Sequence, residues 1–371
     1  MHWNSMRYCI GLPPERWYEI ADSLGFLIQN EYPIWTSVNN TKKIYPGLTG
    51  NNVANEFKAW MSDHWNHPSV VIWDAQNESV TQLTEEAIKL VRGMDLSDRP
   101  WENGWSTPDR DSDPIESHPY LFMKYRNGEI PSRQGSLADN MQIVQLPFND
   151  VNDHNRAKDK PRYSNPIIIN EYEWLWLNRD GSTTTLTDKV YDAVFGKDLT
   201  KEQRIYLSTR YIGMITEYWR AHRMCAGVLH FCGLGYSRPV APRGQTSDNF
   251  IDIKNLIFEP QYVKYVKPSF APVGLMINFW DNFVNPNFKK NVEIYTVNDL
   301  DVNWSGPITF NILKGEKVIS KQVKDITVPA LGRIITNFPV EMNGEKGAYR
   351  LEVEINLNGE QVKSIREFTV E

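Results

Sequence analysis

Two segments of the chain place a glutamate shortly after an apolar, β-branched run. Glu78 follows Val70–Ile72, and Glu171 follows Ile167–Ile169. Runs of Val and Ile that are bounded by turn residues are typical of strands buried on both faces, as in a parallel sheet. Carboxyl groups at the carboxyl ends of two such strands predict a paired-carboxylate active site at the rim of a parallel barrel.

The chemistry of such a pair depends on the distance between its carboxyl groups. A separation of about 5 to 5.5 Å suits hydrolysis of a glycosidic bond with retention of configuration. One carboxylate attacks the anomeric carbon and must be ionised, whereas the other keeps a proton for the leaving oxygen and needs a raised pKa. Glu78 and Glu171 are 93 residues apart (171 minus 78), so the fold must bring them together.

Strands and helices alternate along the first two thirds of the chain. Seven strands are predicted within residues 4–8, 26–31, 69–73, 99–103, 115–120, 166–169 and 226–231. Helices are predicted over residues 15–24, 51–65, 84–92 and 202–222. This alternation indicates βαβ units and a parallel sheet, so the predicted fold class is α/β, a (β/α)8 TIM barrel. Seven strands are one short of eight, and the missing strand is expected to be the first.

The pattern changes from about Asn291 to strict alternation of apolar and polar residues. Val292–Val297 and Tyr349–Ile355 alternate in this way, and turn residues such as Asn358-Gly359 separate them. Short alternating strands with tight turns predict an immunoglobulin-like β-sandwich. We therefore expect a barrel domain at residues 1–268, a linker at 269–288 and a sandwich domain at 289–371.

Composition argues against several classes of partner. The net charge is −6 with no basic block, so neither a nucleic acid nor an anionic membrane is indicated. No apolar run approaches the roughly 18 residues of a membrane-spanning helix. Met1–Asn4 lacks the basic and apolar regions of a signal peptide. The expected partner is a carbohydrate, because thirteen tryptophans accompany the paired glutamates.

Several segments resemble one family of enzymes. His67–Trp73 (HPSVVIW), followed by Asn77-Glu78, resembles the acid/base signature of glycoside hydrolase family 2, which includes β-galactosidases, β-glucuronidases and β-mannosidases. Ile168–Tyr172 (IINEY) is similar to the nucleophile segment of that family. Leu24–Trp35 and Asn4–Arg7 match as well, and the resemblance spans about residues 3–235.

The resemblance implies specific roles for three residues. Glu78 would be the acid/base, Glu171 the nucleophile, and Asn77 the residue that holds the sugar 2-hydroxyl. If the strand that begins at Asn4 is the second of the barrel, Glu78 ends strand four and Glu171 ends strand seven, as in that family. The implied activity is that of a retaining β-glycosidase, which hydrolyses O-glycosidic bonds of an oligo- or polysaccharide by double displacement.

Other residues are expected at the rim of the barrel. Arg7 is expected to hold a substrate carboxylate, to order the nucleophile, or to belong to a structural ion pair. His118 and Tyr120 lie where the sixth strand of the family brings a polar–aromatic pair near the nucleophile, although His118 also fits a buried core histidine. His230 lies where relatives often have a sugar-stacking tryptophan. Trp174 either lines the mouth of the barrel or packs the loop that follows the nucleophile.

Departures from the family pattern shape the remaining expectations. The metal-binding glutamate and histidine of some β-galactosidases have no match, since Trp35 lies near that place, so no metal and no other cofactor are expected. The family's N-terminal domains and first barrel strand also have no match. The chain is therefore expected to be the C-terminal part of a longer protein, secreted or periplasmic. Its partner would then be the missing N-terminal region or another copy of the chain.

Two other functions fit the same residues. A non-catalytic, carbohydrate-binding fragment of a glycosidase would keep the motifs as structure and would not hydrolyse activated aryl glycosides. An endo-acting relative of the same clan would cut internal linkages and ignore small aryl substrates. The sequence does not distinguish these functions from the leading one, nor does it identify the sugar.

Overall fold

The first two thirds of the chain form an α/β domain. A computed structural model describes residues 1–36, 46–130, 164–223, 225–342 and 344–371. All seven predicted parallel strands are confirmed. Their bounds are Ser5–Tyr8 (β1), Leu27–Glu31 (β2), Val70–Asp74 (β3), Trp101–Glu102 (β4), Ile115–Ser117 (β5), Ile167–Ile169 (β6) and Gly227–Val228 (β7).

The seven strands pair in two parallel sheets. Among the described residues, β1-β2-β3-β4 form one sheet and β5-β6-β7 form the other, and no backbone pairing closes them into one barrel. Side chains connect the two sheets where backbone pairing does not. Arg7 in β1 bonds to Glu116 in β5 and to Glu171 after β6, so the carboxyl ends of both sheets face one region.

Helices cover the strands, and their ends follow from local sequence. The bounds are Glu15–Leu24 (α1), Gly50–His64 (α2), Gln82–Val91 (α3), Val190–Phe195 (α4), Lys201–His222 (α5) and Pro260–Ser269 (α6). The four predicted helices are confirmed to within two residues at each end. α1 ends at Gly25, whose φ of 66° is left-handed, and Thr49 and Thr200 begin α2 and α5 with capping boxes.

Each sheet of the α/β domain has a hydrophobic core of its own. The core of the first sheet includes Phe57 and Trp73, and that of the second includes Phe122, Ile169 and Tyr211. The apolar face predicted for α2 is buried in the first core, as expected from its helical spacing. Of the helices in the described ranges, none combines the length and the apolar character that crossing a membrane requires.

The last third of the chain is a β-sandwich. After a small hairpin (β8, Phe250–Asp252; β9, Ile257–Phe258), strands β10-β12-β15 form one sheet and β11-β17-β16-β13-β14 the other. The bounds are Val273–Ile277 (β10), Phe283–Val284 (β11), Lys289–Asn298 (β12), Trp304–Lys314 (β13), Lys317–Val328 (β14), Arg333–Glu341 (β15), Gly347–Leu357 (β16) and Glu360–Val370 (β17).

The segment 269–288, which was expected to be a linker, contributes strands to both sheets of the sandwich. β10 is buried at all five positions and pairs antiparallel with β12. β11 pairs parallel with β17. The flanking Pro and Asn residues favoured a linker, whereas burial of the apolar run between them favours a strand. We therefore propose that the sandwich domain begins at β10, directly after α6.

A buried ion pair joins the sandwich to the α/β domain. Arg366 in β17 lies 2.7 Å from Glu217 in α5, and the Ser364 hydroxyl donates to the same carboxylate at 2.8 Å. The Arg366 guanidinium also lies over the ring of Trp280, 4.5 Å from its centroid. Since an unpaired buried charge is costly, this contact fixes how α5 and β17 pack together.

Candidate active site

The two predicted glutamates meet at the carboxyl ends of the parallel strands. An oxygen of Glu78, a ring nitrogen of His118 and an oxygen of Glu171 lie within 4.8 Å of one another. This separation is close to the value of about 5 to 5.5 Å that retaining glycosidases use. The Glu78 side chain is 22% exposed and that of Glu171 only 6%, so the Glu78 side chain is the more accessible to solvent.

The backbone that carries Glu78 is held in an unusual conformation. Glu78 has a φ of 44°, which is uncommon for a residue other than glycine. The loop after β4 packs closely against this turn at Gly104. A Cβ atom on Gly104 would lie 2.8 Å from the Gln76 carbonyl oxygen and 2.9 Å from that of Ser79, so only glycine fits there.

Arg7 is the central cation of the site. Its side chain is 4% exposed and bonds to Glu171 Oε1 at 2.9 Å and Asp74 Oδ2 at 3.1 Å. It also bonds to Asn77 Oδ1 at 2.8 Å. Nη2 contacts Glu31 as well, and lies 3.3 Å from Glu116 Oε1. This geometry argues against contact of Arg7 with a substrate carboxylate, because the guanidinium donors already have partners within the protein. It fits both ordering of Glu171 and membership of a structural ion pair.

Electrostatics keeps Arg7 charged in spite of its burial. Burial alone would lower the pKa of Arg7, but the negative charges around it, chiefly that of Glu31, raise the pKa well above its usual value. The guanidinium is therefore charged at neutral pH and lies beside Glu171 as a cation.

Tyr120 holds the second oxygen of Glu171. Its hydroxyl donates to Glu171 Oε2. Burial and the neighbouring charge of Glu171 raise the pKa of Tyr120 well above its usual value, so the hydroxyl keeps its proton and remains a donor. Tyr120 was expected to lie near Glu171, and in the structure its hydroxyl contacts that residue. Both oxygens of Glu171 are thus fixed, one by Arg7 and one by Tyr120.

His118 lies between two carboxylates. Nδ1 is 2.9 Å from Glu78 Oε1 and Nε2 is 2.6 Å from Glu116 Oε1, and the side chain is 1% exposed. Burial alone would lower the pKa of His118, but the charges of Glu171 and Glu116 raise it well above its ordinary value. Glu78, His118 and Glu171 are residue types that can bind a divalent metal.

Asn77 and Trp174 adjoin the catalytic pair. The Asn77 side chain is buried, and its Oδ1 accepts the bond from Arg7. Trp174 is largely buried, donates Nε1–H to the Leu186 carbonyl at 3.1 Å, and packs edge-to-face on Tyr120 with centroids 4.7 Å apart. Trp174 therefore packs the loop that follows Glu171 and also contacts Tyr120, so its position fits both of the roles expected for it.

His230 lies beside two tyrosines. Its Nδ1 is 3.3 Å from the Tyr262 hydroxyl, and its ring lies edge-on to Tyr172 with centroids 5.8 Å apart. Burial lowers the pKa of His230 to about 3, so the ring is neutral. His230 contacts these two tyrosines. Arg7 and Tyr120 contact Glu171 directly, and His118 contacts Glu78.

Four buried carboxyl groups beneath the site were not predicted. In the strand register, Asp74 is the partner of Glu31 on one side and of Glu102 on the other, and Glu116 lies across in β5. Gln29 Nε2 donates to Asp74 at 2.8 Å and to Glu102 at 2.7 Å. The only signal in the sequence was that each is an acid within or at the end of a predicted strand.

The buried acids perturb one another. Burial, followed by repulsion from neighbouring carboxylates, raises the pKa of Glu31 and Glu102 well above the usual value and that of Asp74 to about 6. At neutral pH, some of these groups therefore keep a proton in the folded protein that they lose in the unfolded chain. Glu31, Asp74 and Glu102 contact Arg7, Gln29 or Asn170 rather than Glu78 or Glu171, so we expect their effect to be on stability.

We expect Glu102→Gln to flatten the pH dependence of stability. Because the folded pKa of Glu102 is raised, its contribution is fully present below about pH 4.5 and is lost as pH rises towards the folded value, by about 1 kcal/mol per pH unit. Gln keeps the oxygen that accepts from Gln29 and carries no ionisable proton. Urea unfolding at pH 4.5, 6 and 7.5 measures the slope, and equal slopes in both proteins would contradict this prediction.

The fold also occurs in solved structures. An exo-chitosanase from Amycolatopsis orientalis aligns with a TM-score of 0.60 at 12% identity, over 100% of this chain and 45% of that protein. A β-D-mannosidase from Dictyoglomus thermophilum aligns with a TM-score of 0.56 at 15% identity, over 99% of this chain and 46% of that protein. At these identities the likeness shows the fold alone, and the chain spans less than half of either protein. No curated protein sequence matches it significantly.

A family match covers more than half of the chain. The family "Glycosyl hydrolases family 2, TIM barrel domain" matches residues 1–202 of the 371. The matched range contains both glutamates together with Arg7, His118 and Tyr120. It confirms the resemblance that was based on the segments before Glu78 and Glu171. The chain therefore belongs to glycosyl hydrolase family 2.

Proposed function

We propose that this chain carries the active site of a retaining β-glycosidase, with Glu171 as the nucleophile and Glu78 as the acid/base. The observation that carries the proposal is the approach of the two glutamates to within 4.8 Å in unequal surroundings. Arg7 and Tyr120 donate to the two oxygens of Glu171 and hold its side chain in one orientation. Glu78 is the more exposed of the two, as a group that exchanges protons with a leaving group and with water must be.

The reaction takes two displacements. In the first, an oxygen of Glu171 forms a bond to the anomeric carbon while the glycosidic C–O bond breaks, and Glu78 donates its proton to the leaving oxygen. In the second, Glu78 takes a proton from water, the water oxygen bonds to the anomeric carbon, and the ester bond to Glu171 breaks. Two inversions at one carbon retain the β configuration, and Glu78 regains its proton.

Other side chains are assigned supporting roles in this proposal. Since Oδ1 of Asn77 is bound to Arg7, we assign Nδ2 to the sugar 2-hydroxyl. Trp174 and Tyr120 form an apolar wall beside the nucleophile. We propose an eight-stranded barrel for the whole domain, of which the described residues supply seven strands, and an immunoglobulin-like fold for the sandwich. No metal takes part in the proposed reaction.

Trapping of the covalent intermediate tests the proposal. Activated 2-deoxy-2-fluoro β-glycosides react in the first step, but the fluorine slows the second, so the glycosyl-enzyme accumulates. We expect intact mass spectrometry of the wild type to show a mass increase of one sugar, and Glu171→Gln to show none. The sugar that reacts identifies the glycone. Absence of an adduct with every sugar of a broad panel would instead favour the non-catalytic, carbohydrate-binding fragment.

We expect Glu78→Gln to separate substrates by their leaving group. A poor leaving group, such as a second sugar, needs the proton that Glu78 supplies, so its kcat/KM should fall by about 10² to 10³-fold. A dinitrophenyl group departs without that proton, so its kcat/KM should change only a few-fold. Gln keeps the oxygen that faces His118, which preserves the local geometry. Equal losses on both substrates would argue against the acid role.

A further inference from the structure

Glu116 lies directly beneath the catalytic pair, although no sequence motif singles it out. It is fully buried in β5, two residues before His118, which directly follows that strand. Its Oε1 lies 2.6 Å from His118 Nε2, and it accepts from Arg7 Nη2 at 3.3 Å and from the Glu78 backbone N–H at 3.4 Å. One carboxylate oxygen thus contacts three residues of the site.

We infer that Glu116 is a positioning residue, which keeps His118 in the imidazolium form so that the Nδ1–H of His118 holds Glu78 in place for proton transfer. The inference rests on the proposed role of Glu78 as the acid/base. It assigns to Glu116 no contact with the substrate. Its effect passes through His118 to the carboxyl group that exchanges protons.

The distances around the His118 ring favour two ring protons. In the structure both ring nitrogens lie close to carboxylate oxygens, at 2.9 Å for Glu78 and 2.6 Å for Glu116. A neutral imidazole has one N–H and one lone pair, so when both carboxyl groups are ionised one of its nitrogens would direct a lone pair at a carboxylate oxygen. The imidazolium instead presents an N–H on each side. Such charge-assisted hydrogen bonds are about twice as strong as neutral ones.

The charged groups around His118 come from four strands. Glu116 lies in β5, Glu78 follows β3, and Glu171 follows β6 with its Oε1 3.8 Å from Nε2. The cation Arg7, in β1, contacts both Glu116 and Glu171 and offsets part of their charge. Three carboxylates therefore face one imidazole, and Glu116 is the nearest of them.

This arrangement suits both steps of the proposed reaction. When Glu78 carries its proton, His118 makes an ion–neutral hydrogen bond to it. After Glu78 has donated the proton, the same contact becomes an ion pair, which stabilises the carboxylate that must next act as a base. His118 keeps both of its ring protons in each step. The Nε2 proton lies beside Glu116, and the Nδ1 proton lies beside Glu78.

The protonation state of His118 in the wild type is the first test. Imidazole nitrogen and proton resonances can be followed by NMR from pH 5 to pH 9, with His118→Gln used to assign the signal. We expect the His118 resonances to stay at imidazolium values well above about pH 6.5, where an unperturbed histidine titrates. Titration of His118 near pH 6.5 would overturn the inference, and this measurement requires no activity.

Glu116→Gln is the second test. Without the anion, we expect His118 to lose its proton at a pH at least one unit lower than in the wild type. Above that midpoint, kcat/KM for substrates with poor leaving groups should fall about tenfold, with the same midpoint as the NMR titration. A substitution that only loosened the structure would lower the rate without adding a midpoint. If Glu116→Gln does not fold, Glu116→Asp keeps the negative charge but moves the carboxylate away from His118. It should lower the pH at which His118 loses its proton by a smaller amount.

Glu102→Gln is the matched control. It removes a carboxyl group from the same buried layer without touching His118, and Glu102 contacts Gln29 and Asn170 instead. The His118 titration in this variant should match that of the wild type. An unchanged His118 titration in Glu116→Gln would overturn this inference alone, whereas a wild type that hydrolyses no glycoside would overturn the proposed function.

Discussion

Replacement of Glu171 by Gln is expected to reduce kcat on every substrate by about 10⁴-fold or more. The amide is uncharged and a poor nucleophile, so no ester to the anomeric carbon forms. Activated aryl glycosides should be affected as severely as natural linkages. Both kinds of substrate need a bond to Glu171, and a better leaving group does not replace that bond. Steady-state rates and mass spectrometry of the trapped intermediate measure the two consequences.

Glu173→Gln is the control for this experiment. Glu173 lies two residues downstream of the nucleophile and is fully buried, and burial raises its pKa well above the usual value. Burial therefore favours its neutral form, and Gln is close to that form in both shape and charge. We expect wild-type rates from Glu173→Gln. A Glu171→Gln protein that folds and still turns over activated glycosides at more than a few per cent of the wild-type rate would contradict the assignment.

Replacement of Arg7 by Met is expected to have the largest effect on stability. Arg7 lies among the buried carboxylates of Glu31, Asp74 and Glu116, as well as Glu171. Removal of one partner from a buried ion pair costs about 3 to 5 kcal/mol, because the remaining charge is left without compensation. We expect a loss of this size in the free energy of unfolding at pH 7.5, as measured by urea denaturation.

The loss in Arg7→Met should depend on pH. At low pH the buried carboxyl groups take up protons and no longer need the cation, so the difference from wild type should shrink as pH falls from 7.5 to 5. Arg92→Met provides the comparison, since Arg92 makes a buried two-point ion pair with Asp113, away from the catalytic glutamates. Both variants should unfold more easily, but only Arg7→Met should lose kcat in its folded fraction. A stability change below about 0.5 kcal/mol in Arg7→Met would contradict the proposed role.

The sequence predicted the parts of the fold that are encoded locally. The seven parallel strands and the helices α1, α2, α3 and α5 were predicted from local sequence patterns. α4 and α6 were missed, because α4 has only six residues and α6 contains Pro268 near its end. β10 was missed because it lies between Pro- and Asn-rich stretches that are typical of linkers.

The site was predicted only where a short motif carries it. Glu78, Glu171 and Asn77 came from segments that resemble the signatures of the family, and Tyr120 came from its correspondence to the sixth strand of the family. Glu116 and Glu102 were not predicted, because their importance arises from register and proximity between strands that are distant in sequence. No local pattern shows that the acids of β2, β3 and β4 lie side by side, or that His118 lies between two carboxylates.

The contacts of Arg7 also constrain the order in which the protein folds. Its partners Asp74, Asn77, Glu116 and Glu171 lie 67, 70, 109 and 164 residues away along the chain. Contacts of such long sequence separation require the closure of large loops and form late compared with helices. A partly folded chain can therefore contain the helices and each separate sheet without an ordered Glu171. We accordingly expect the proposed activity to return only at the end of refolding, when the tertiary structure is complete.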